Sequence, residues 1–452
     1  MTRGNIVKVG LVGLLALLLV IVPLIGAGCP APEVVPATVK VAYLGDITGP
    51  YAAVGAPLIK GFTDCAENIN AKGGIDGVLI EALWADTRGE APLSVAAYKR
   101  FKELGVVAVS CMVTPVGLAV MDLCEEDKIP GINQTATLSL YIPPRDYFWC
   151  HGGVNSNYEL AALYGFDTEL WDREAWGTWT LGMLAHDNPF TVSGIAAMYK
   201  YADTYDVRLL APEIVPVATD DYTTQIMRLV NGGADVIMVD TVGARTGVVL
   251  RQMAELGVLA HSVEEAATVP GKVVAMFGYT SYYAANFVGA LDYAPYTYGA
   301  RGYAGSWQEE YGPGIVEIEE FMLDKYGRIL TTVEAGTVYI EGWHNMLVMA
   351  AAIERAVEAV GWENLNGETL MLYGLTGLIF DDQGVSGATG YADYPGDRMC
   401  LENFALAAWD VEHAECAAIT PYYNIRELLP ECLTYDYMTV QAGPGWYVPV
   451  AP

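Results

Sequence analysis

The fold is decided by residues 40–86, which read KVAYLGDITGPYAAVGAPLIKGFTDCAENINAKGGIDGVLIEALWAD. A short apolar and β-branched run, Val39 to Leu44, predicts a strand that is buried on both faces. Apolar residues at helical spacing then predict a helix through Asn70, which Lys72-Gly73-Gly74 ends, and strand character resumes from Val78. The loop between strand and helix contains Gly45, Gly49, Pro50 and Gly55. This βαβ order predicts an open parallel sheet, in which ligands bind beyond the carboxyl ends of the strands.

The composition is that of a large folded protein. Its 452 residues are enough for two to three domains. With 53% hydrophobic and 17% charged residues, the chain is globular, and disorder is excluded. The formal net charge of −30 repels phosphate backbones, so we expect no nucleic-acid partner. The acidic residues are spread along the chain, which favours a role in solubility over the steering of a cationic ligand.

The amino terminus has the order of a targeting segment. A basic start precedes an apolar run from Val9 to Ile25, and small residues lie before Cys29. This order resembles a bacterial lipoprotein signal, although glycine replaces the usual leucine three positions before the cysteine. We therefore expect a signal peptide over 1–28, lipidation of Cys29, a proline-rich tether over 29–37 and an extracytoplasmic, membrane-anchored body. An uncleaved membrane anchor is the alternative.

Alternating strands and helices continue along most of the chain. A first series of βα units is followed by a second one from Tyr158 to Phe277, which predicts parallel sheets with right-handed crossovers. Ser281 to Trp307 is rich in Tyr, Ala and Gly without clear periodicity, and its tyrosines either pack in the core or line a cleft. The remaining predictions are helices over 315–326 and 333–360, hairpins over 377–410 and an irregular carboxyl terminus beyond Glu412.

Seven cysteines remain after Cys29, an odd number that leaves at least one thiol outside any intramolecular disulfide. Their spacing is not that of a zinc site. We expect Cys65 and Cys111 to be buried thiols. A disulfide is expected among Cys400, Cys416 and Cys432, with the pairing open.

No catalytic signature is present in the sequence. There is no phosphate-binding P-loop, nucleophile elbow, zinc-protease motif or dinucleotide-binding glycine motif. The five histidines are scattered, and His186-Asp187 at a predicted strand end favours a hydrogen-bonded loop histidine over half of a catalytic pair. We therefore expect a protein that is not an enzyme and that carries no cofactor and no metal.

Threonines follow two predicted strands of the first series. Thr114 precedes a helix that begins with Pro115, and a hydroxyl beside the free N–H groups of a helix N-terminus suits a carboxylate. Thr135 and Thr137 follow the next strand. Each has a plainer alternative, because Thr114 could serve only as a helix cap and the other two could satisfy their own turn.

Residues 68–75, Asn-Ile-Asn-Ala-Lys-Gly-Gly-Ile, carry a family resemblance. A strand, a Gly-x-x-Thr-Gly-Pro loop, a helix with this ending and a strand that ends in Asp resemble the start of type I periplasmic binding proteins. Within them the stretch is most similar to the branched-chain amino-acid binding proteins of ABC importers. The resemblance implies two doubly wound α/β parallel-sheet lobes with a ligand cleft between them and three crossovers. The expected ranges are 38–155 with 285–375 for lobe 1, and 156–284 with 376–452 for lobe 2.

The resemblance also implies where a ligand binds. In that family, residues after the third and fourth strands grip the carboxylate and ammonium of the ligand, and loops of the second lobe cover it. The matching positions are Thr114, Thr135 and Thr137 in the first lobe, and Phe190, Thr191, Asp240, Val242 and Thr280 in the second.

Two departures from the family pattern affect the ligand. Val54 stands where the first loop often has an aromatic or polar residue. The acid often found near Thr280 is absent, since this chain has Tyr279 and Thr280 there, so an α-ammonium would need Asp240 or Asp46. Amino acids, amides and aromatic acids all remain open as ligands.

The resemblance implies a function as well. A monomeric binding protein would capture a small polar ligand in the cleft and deliver it to the permease subunits of an ABC importer. A ligand-binding sensor would share every feature above, and a surface-anchored α/β enzyme is the third possibility.

Overall fold

The computed structural model describes residues 35–134, 137, 140–141, 145–278, 282–302, 312–385, 391–393, 403–412 and 414–433. Within these ranges no helix is both long and apolar enough to cross a membrane. Several predicted features lie outside the described residues, namely the signal peptide with Cys29, most of the tether, Thr135, Tyr279, Thr280 and Cys400.

Sixteen strands are found in the described part of the chain. They are β1 Thr38–Gly45, β2 Leu79–Asp86, β3 Ala108–Cys111, β4 Gly131–Asn133, β5 Phe148–Cys150, β6 Thr180–His186, β7 Arg208–Leu209, β8 Glu213–Val215, β9 Val236–Asp240, β10 Val274–Phe277, β11 Thr297–Arg301, β12 Ile379–Asp381, β13 Tyr391–Asp393, β14 Asn403–Asp410, β15 Glu415–Ala418 and β16 Tyr423–Asn424.

The helices alternate with these strands. They are α1 Ala52–Ala71, α2 Ala91–Glu103, α3 Thr114–Asp127, α4 Asn155–Gly165, α5 Arg173–Trp176, α6 Pro189–Ser193, α7 Ile195–Thr204, α8 Thr223–Asn231, α9 Arg245–Glu255, α10 Val263–Thr268, α11 Pro313–Tyr326, α12 Thr332–Ala335, α13 Thr337–Val360, α14 Gly367–Thr369 and α15 Ile425–Leu428. Short π-helical segments, Phe166–Leu170 and Leu370–Leu375, follow α4 and α14.

Two large sheets organise the molecule. The first contains five parallel strands in the order β2-β1-β3-β4-β5. The second follows the order β15-β14-β11-β10-β9-β6-β7, with β8 beside β6 and β16 beside β14. Its strands from β11 to β7 run parallel, while β14 is antiparallel to β11 and β15. Two mainly parallel sheets with intervening helices confirm the predicted class of two doubly wound α/β lobes.

The opening βαβ unit folds as predicted. Helix α1 ends at Ala71, and positive φ angles at Gly73 (106°) and Gly74 (74°) turn the chain towards β2. Gly55, predicted as a loop residue, lies instead in the first turn of α1. A Cβ at this position would lie 1.8 Å from the carbonyl oxygen of Asp46, so only glycine allows the loop and the helix to approach this closely.

The tyrosine-rich region contains a strand that belongs to a different sheet from the one predicted. Residues 285–375 were expected in lobe 1, but β11 pairs with β10 and β14 in the second sheet. The strand has a single β-branched residue. Its Gly299 leaves space for the ring of Tyr282, because a Cβ at position 299 would lie 2.4 Å from that ring. The strand propensity of this segment is therefore weak, and packing against neighbouring strands fixes the position of β11 in the sheet. The other lobe boundaries stay predictions.

Three smaller departures concern irregular regions. Strand β5 lies where only a crossover between lobes was expected, and β15, β16 and α15 give structure to the chain beyond Glu412. Cys65 and Cys111 are buried thiols, as predicted. Cys416 and Cys432 are buried too, and the disulfide expected among them and Cys400 stays a prediction.

The core of the first lobe is built on the crossing of α1 and α13, the two longest described helices. Glycines face each other there: a Cβ on Gly61 would lie 2.0 Å from the carbonyl oxygen of Tyr339, and one on Gly342 would lie 1.9 Å from that of Leu58. The two backbones are therefore in direct contact. This crossing fixes which residues of α13 reach the site described next.

Candidate functional site

A cavity lies between the two lobes, at the carboxyl ends of strands from both sheets. The first lobe contributes the start of α1, the turn between β3 and α3, the residue after β4 and part of α13. The second lobe contributes the segments that follow β6, β9 and β10. The lining residues are Tyr51, Val54, Leu58, Met112, Val113, Thr114, Pro115, Gln134, Phe190, Val242, Gly243, Tyr283 and Glu341.

Most of the cavity wall is apolar, formed by side chains such as Leu58 and Phe190. The polar groups are few, and Thr114, Gln134 and Glu341 all belong to the first lobe. A concave apolar pocket with a small number of convergent polar groups is the usual form of a small-molecule site. The arrangement suits a small ligand that is polar at one end and apolar at the other.

Thr114 presents an unused hydroxyl to the cavity. It is the first residue of α3, its side chain is buried, and its Oγ1 has no hydrogen-bond partner among the residues that the structure describes. The preceding Val113 has φ +60° and ψ 143°, a costly conformation for a β-branched residue. An unpaired buried hydroxyl at the positive end of a helix is suited to donate a hydrogen bond to a ligand carboxylate.

Glu341 is the acid of the cavity, and it is not among the predicted site residues. Its Oε1 accepts a hydrogen bond from the hydroxyl of Tyr283 (2.7 Å), and its Oε2 accepts one from Nε2 of Gln134 (3.3 Å). The side chain is buried, and burial raises the pKa of Glu341 well above its ordinary value. One signal was available in the sequence: Glu341 is the only acidic residue between Thr337 and Ile353.

Histidine and asparagine side chains hold the second-lobe wall. Nδ1 of His186 accepts a hydrogen bond from the backbone N–H of Val242 (3.1 Å), and Nε2 lies 2.8 Å from the hydroxyl of Tyr222. Burial, assisted by the charge of Arg245, lowers the pKa of His186 to about 4, so the ring is neutral at pH 7. His186 is thus a hydrogen-bonded loop residue that positions Val242. Asn188 caps the short helix that carries Phe190.

Four of the predicted site residues meet in the cavity. Thr114 and Val54 line it from the first lobe, and Phe190 and Val242 line it from the second. Thr137 is buried but is not part of the lining, and its role stays a prediction.

Three predicted residues are committed elsewhere in the described structure. The hydroxyl of Thr191 donates to the carbonyl oxygen of His186, and so closes its own turn. Asp46 accepts the backbone N–H groups of Gly49 and Tyr51 (3.0 Å), which ties the first loop to α1. Asp240 lies outside the lining and accepts from another side chain, as described next. Neither acid proposed for an ammonium group lines the cavity.

Asp240 belongs to a buried pair of carboxyl groups that Asn155 joins. Nδ2 of Asn155 donates to Asp240 Oδ2 (2.7 Å) and to Glu159 Oε1 (3.1 Å). Burial and the neighbouring carboxylate of Asp240 raise the pKa of Glu159 well above its ordinary value of 4.5. Two close buried carboxyl groups resist ionising together, so burial and the neighbouring carboxylate both favour the protonated form of Glu159.

This pair gives a pH-dependent prediction. A raised pKa means that the folded protein binds more protons than the unfolded chain, so Glu159 lowers stability progressively as pH rises above about 4.5. Glu159→Gln keeps an oxygen that can accept the hydrogen bond from Asn155 and removes the charge. We expect the variant to match the natural protein at pH 4.5 and to exceed its unfolding free energy by about 1–3 kcal/mol at pH 8. Urea unfolding at both pH values measures this. An equal gap at both, or the same gap in the exposed control Glu174→Gln, would contradict it.

Comparisons with known proteins agree with this architecture. The family model described as "Periplasmic binding protein" matches residues 38–410. The Leu/Ile/Val-binding protein homolog 3 of Brucella melitensis is 25% identical over 229 residues, which span 50% of this chain and 60% of that relative.

Two solved structures show the same fold at low identity. A branched-chain amino-acid ABC transporter protein from Thermus thermophilus with bound valine superposes with a TM-score of 0.73 and 20% identity, covering 87% of this chain and 99% of its own. A solute-binding protein of an ABC transporter from Rhodopseudomonas palustris, in complex with 3,4-dihydroxybenzoic acid, superposes with a TM-score of 0.68 and 15% identity, covering 86% and 98%. Because the family model spans most of the chain, the protein belongs to the periplasmic binding protein family.

Proposed function

We propose that this protein is the substrate-binding component of an ABC importer, and that it captures a small amphiphilic ligand in the cavity between its lobes. The observation that carries the proposal is the lining itself, which joins Thr114 and Glu341 of the first lobe to Phe190 and Val242 of the second. A ligand that contacts both lobes favours their closed arrangement, because it can shift the equilibrium only through its differential affinity for that state. The closed form is then the one that docks on the permease.

The distribution of polar groups defines the ligand class. A carboxylate fits at Thr114 and the N-terminus of α3, and the apolar part of the ligand fits against Leu58, Phe190 and Val242. Relatives are named for leucine, isoleucine and valine binding, and solved structures of the same fold hold valine or an aromatic acid. We therefore place aliphatic amino acids first, followed by aromatic carboxylates and amides.

The amino-terminal order supports a proposal that this capture occurs outside the cytoplasmic membrane. Residues 1–28 act as a signal peptide, Cys29 carries the lipid, and residues 29–37 hold a monomeric body at the membrane surface near its permease. The proposed role is binding without chemical change, in keeping with the family to which the chain belongs.

A thermal-shift panel on the full chain in mild detergent tests the function. The compounds are aliphatic and aromatic amino acids, aromatic carboxylates, short amides and, as negative controls, sugars and nucleotides. A ligand at about a thousand times its Kd adds roughly 4 kcal/mol of stability, which a melting curve resolves. We expect a shift with at least one small carboxylate. A panel in which only the control compounds shift the curve, or none does, would overturn the assignment.

A further inference from the structure

We propose that Glu341 selects ligands that carry a primary amine, and that capture of the amine releases a proton to solvent. The inference rests on the proposed function and adds to it the residue that decides the ligand class. It also moves the acid of the site from the second lobe, where the family resemblance places it, to a helix of the first lobe.

The groups that contact Glu341 do not compensate the negative charge that its carboxylate carries when ionised. Both carboxylate oxygens accept hydrogen bonds, one from Tyr283 and one from Gln134, and both donors are neutral. No lysine, arginine or histidine forms an ion pair with Glu341 in the described part of the chain, and the side chain is only 2% exposed. A buried acid without a cation is costly to ionise, so the cavity beside it is a favourable place for a cationic group.

The other acids near the cleft are already engaged. Asp46 holds two backbone N–H groups of the first loop, and Asp240 is bound to Asn155 beside Glu159. Neither contributes to the cavity wall, whereas Glu341 does. Among the described residues Glu341 is therefore the acid that a ligand in this cavity reaches.

The hydrogen bond from Tyr283 joins the two lobes at this point. Tyr283 follows β10 of the second sheet, and Glu341 lies on α13, which packs on α1 of the first lobe. An amine bound at Glu341 thus lies beside a contact between lobes. The carboxylate of Glu341 therefore takes part both in binding the amine and in the contact between the lobes.

Proton release follows from the state of the empty site. Burial keeps Glu341 protonated to a higher pH than an exposed glutamate, whereas a bound ammonium favours the ionised form. The carboxyl proton leaves for solvent as the ion pair forms, so affinity rises with pH until the empty site ionises by itself. The titratable groups around Glu341 are Tyr43 on β1, Tyr283, and His344 on its own helix. His344 is held by Asp382 (2.8 Å) and His151 (2.9 Å).

Isothermal titration of the full chain with matched compounds tests the proposal. The probes are L-leucine with 4-methylpentanoate and L-phenylalanine with 3-phenylpropanoate, in which each second compound lacks only the amine. We expect one amino acid to bind about 30-fold or more tightly than its amine-free partner. Titration in two buffers of different ionisation enthalpy should show a net release of protons on binding of the amino acid. Both results come from the natural protein and require no variant.

The Glu341→Gln variant adds the residue-level test. It should lose most of the preference for the amine and release no proton. Equal binding of both partners, or a preference that Glu341→Gln leaves intact, would overturn the role of Glu341 while the proposed function stands. If the protein binds neither pair of compounds but does bind other small carboxylates, the role of Glu341 is likewise overturned and the proposed function stands. If the protein binds none of these compounds, both the proposed function and the role of Glu341 are wrong.

Discussion

Gly342→Ala is expected to lower the unfolding free energy by about 3 kcal/mol, although alanine is the better helix former. The added methyl group would lie 1.9 Å from the carbonyl oxygen of Leu58 and 3.0 Å from the backbone nitrogen of Phe62. Backbone atoms of α1 cannot rotate away as a side chain can, so α1 and α13 must move apart. That movement disrupts the crossing on which the first-lobe core is built.

Urea unfolding of the natural protein and the variant measures the loss. The control is Glu358→Ala, an exposed position on the same helix, which should change stability by no more than about 0.5 kcal/mol. If Gly342→Ala proved as stable as the natural protein, the direct contact between the two backbones would be refuted.

Asp64→Ala is expected to cost about 2–4 kcal/mol, since Asp64 is the buried centre of a charged cluster. Its carboxylate accepts bonds from Lys325 (2.8 Å) and from the hydroxyls of Tyr326 (2.7 Å) and Tyr339 (2.8 Å). These partners lie on α11 and α13, so one side chain of α1 joins three helices. Removal leaves the buried hydroxyl of Tyr339 without its acceptor, and part of the lysine charge is screened by solvent.

The chain offers a matched control for this prediction. Glu67, one turn further along α1, pairs with the same Lys325 at 2.5 Å, but its side chain is 58% exposed. Glu67→Ala should therefore cost under about 1 kcal/mol. Comparable losses in the two variants would show that burial of Asp64 contributes nothing to the cluster.

The fold was predictable wherever the sequence acts locally. Glycines at positive φ end α1, and apolar runs in buried strands such as β1 and β9 mark the parallel sheets. β11 was not predicted as a strand because it is stabilised by the strands on both sides and by the ring of Tyr282. A five-residue window of sequence contains neither of these contacts. Strand propensity depends on packing, so a short glycine-bearing strand cannot be told from a loop.

The candidate site divides in the same way. Thr114, Phe190 and Val242 follow strands directly, and the carboxyl ends of parallel strands converge, so their meeting in one cavity could be predicted. Glu341 lies in the middle of a helix far along the chain. It reaches the cavity only because Gly61 and Gly342 bring α13 against α1, a contact between residues that are distant in sequence. No local pattern indicates the rotation of that helix.

Isothermal titration of two variants tests most directly whether one ligand contacts both lobes. The best ligand of the thermal-shift panel is titrated into Thr114→Val of the first lobe and Phe190→Ala of the second, with the exposed Thr268→Val as control. We expect both cavity variants to weaken binding by about 1–3 kcal/mol and the control to bind normally. Natural affinity in either cavity variant would mean that the ligand is not held between the lobes.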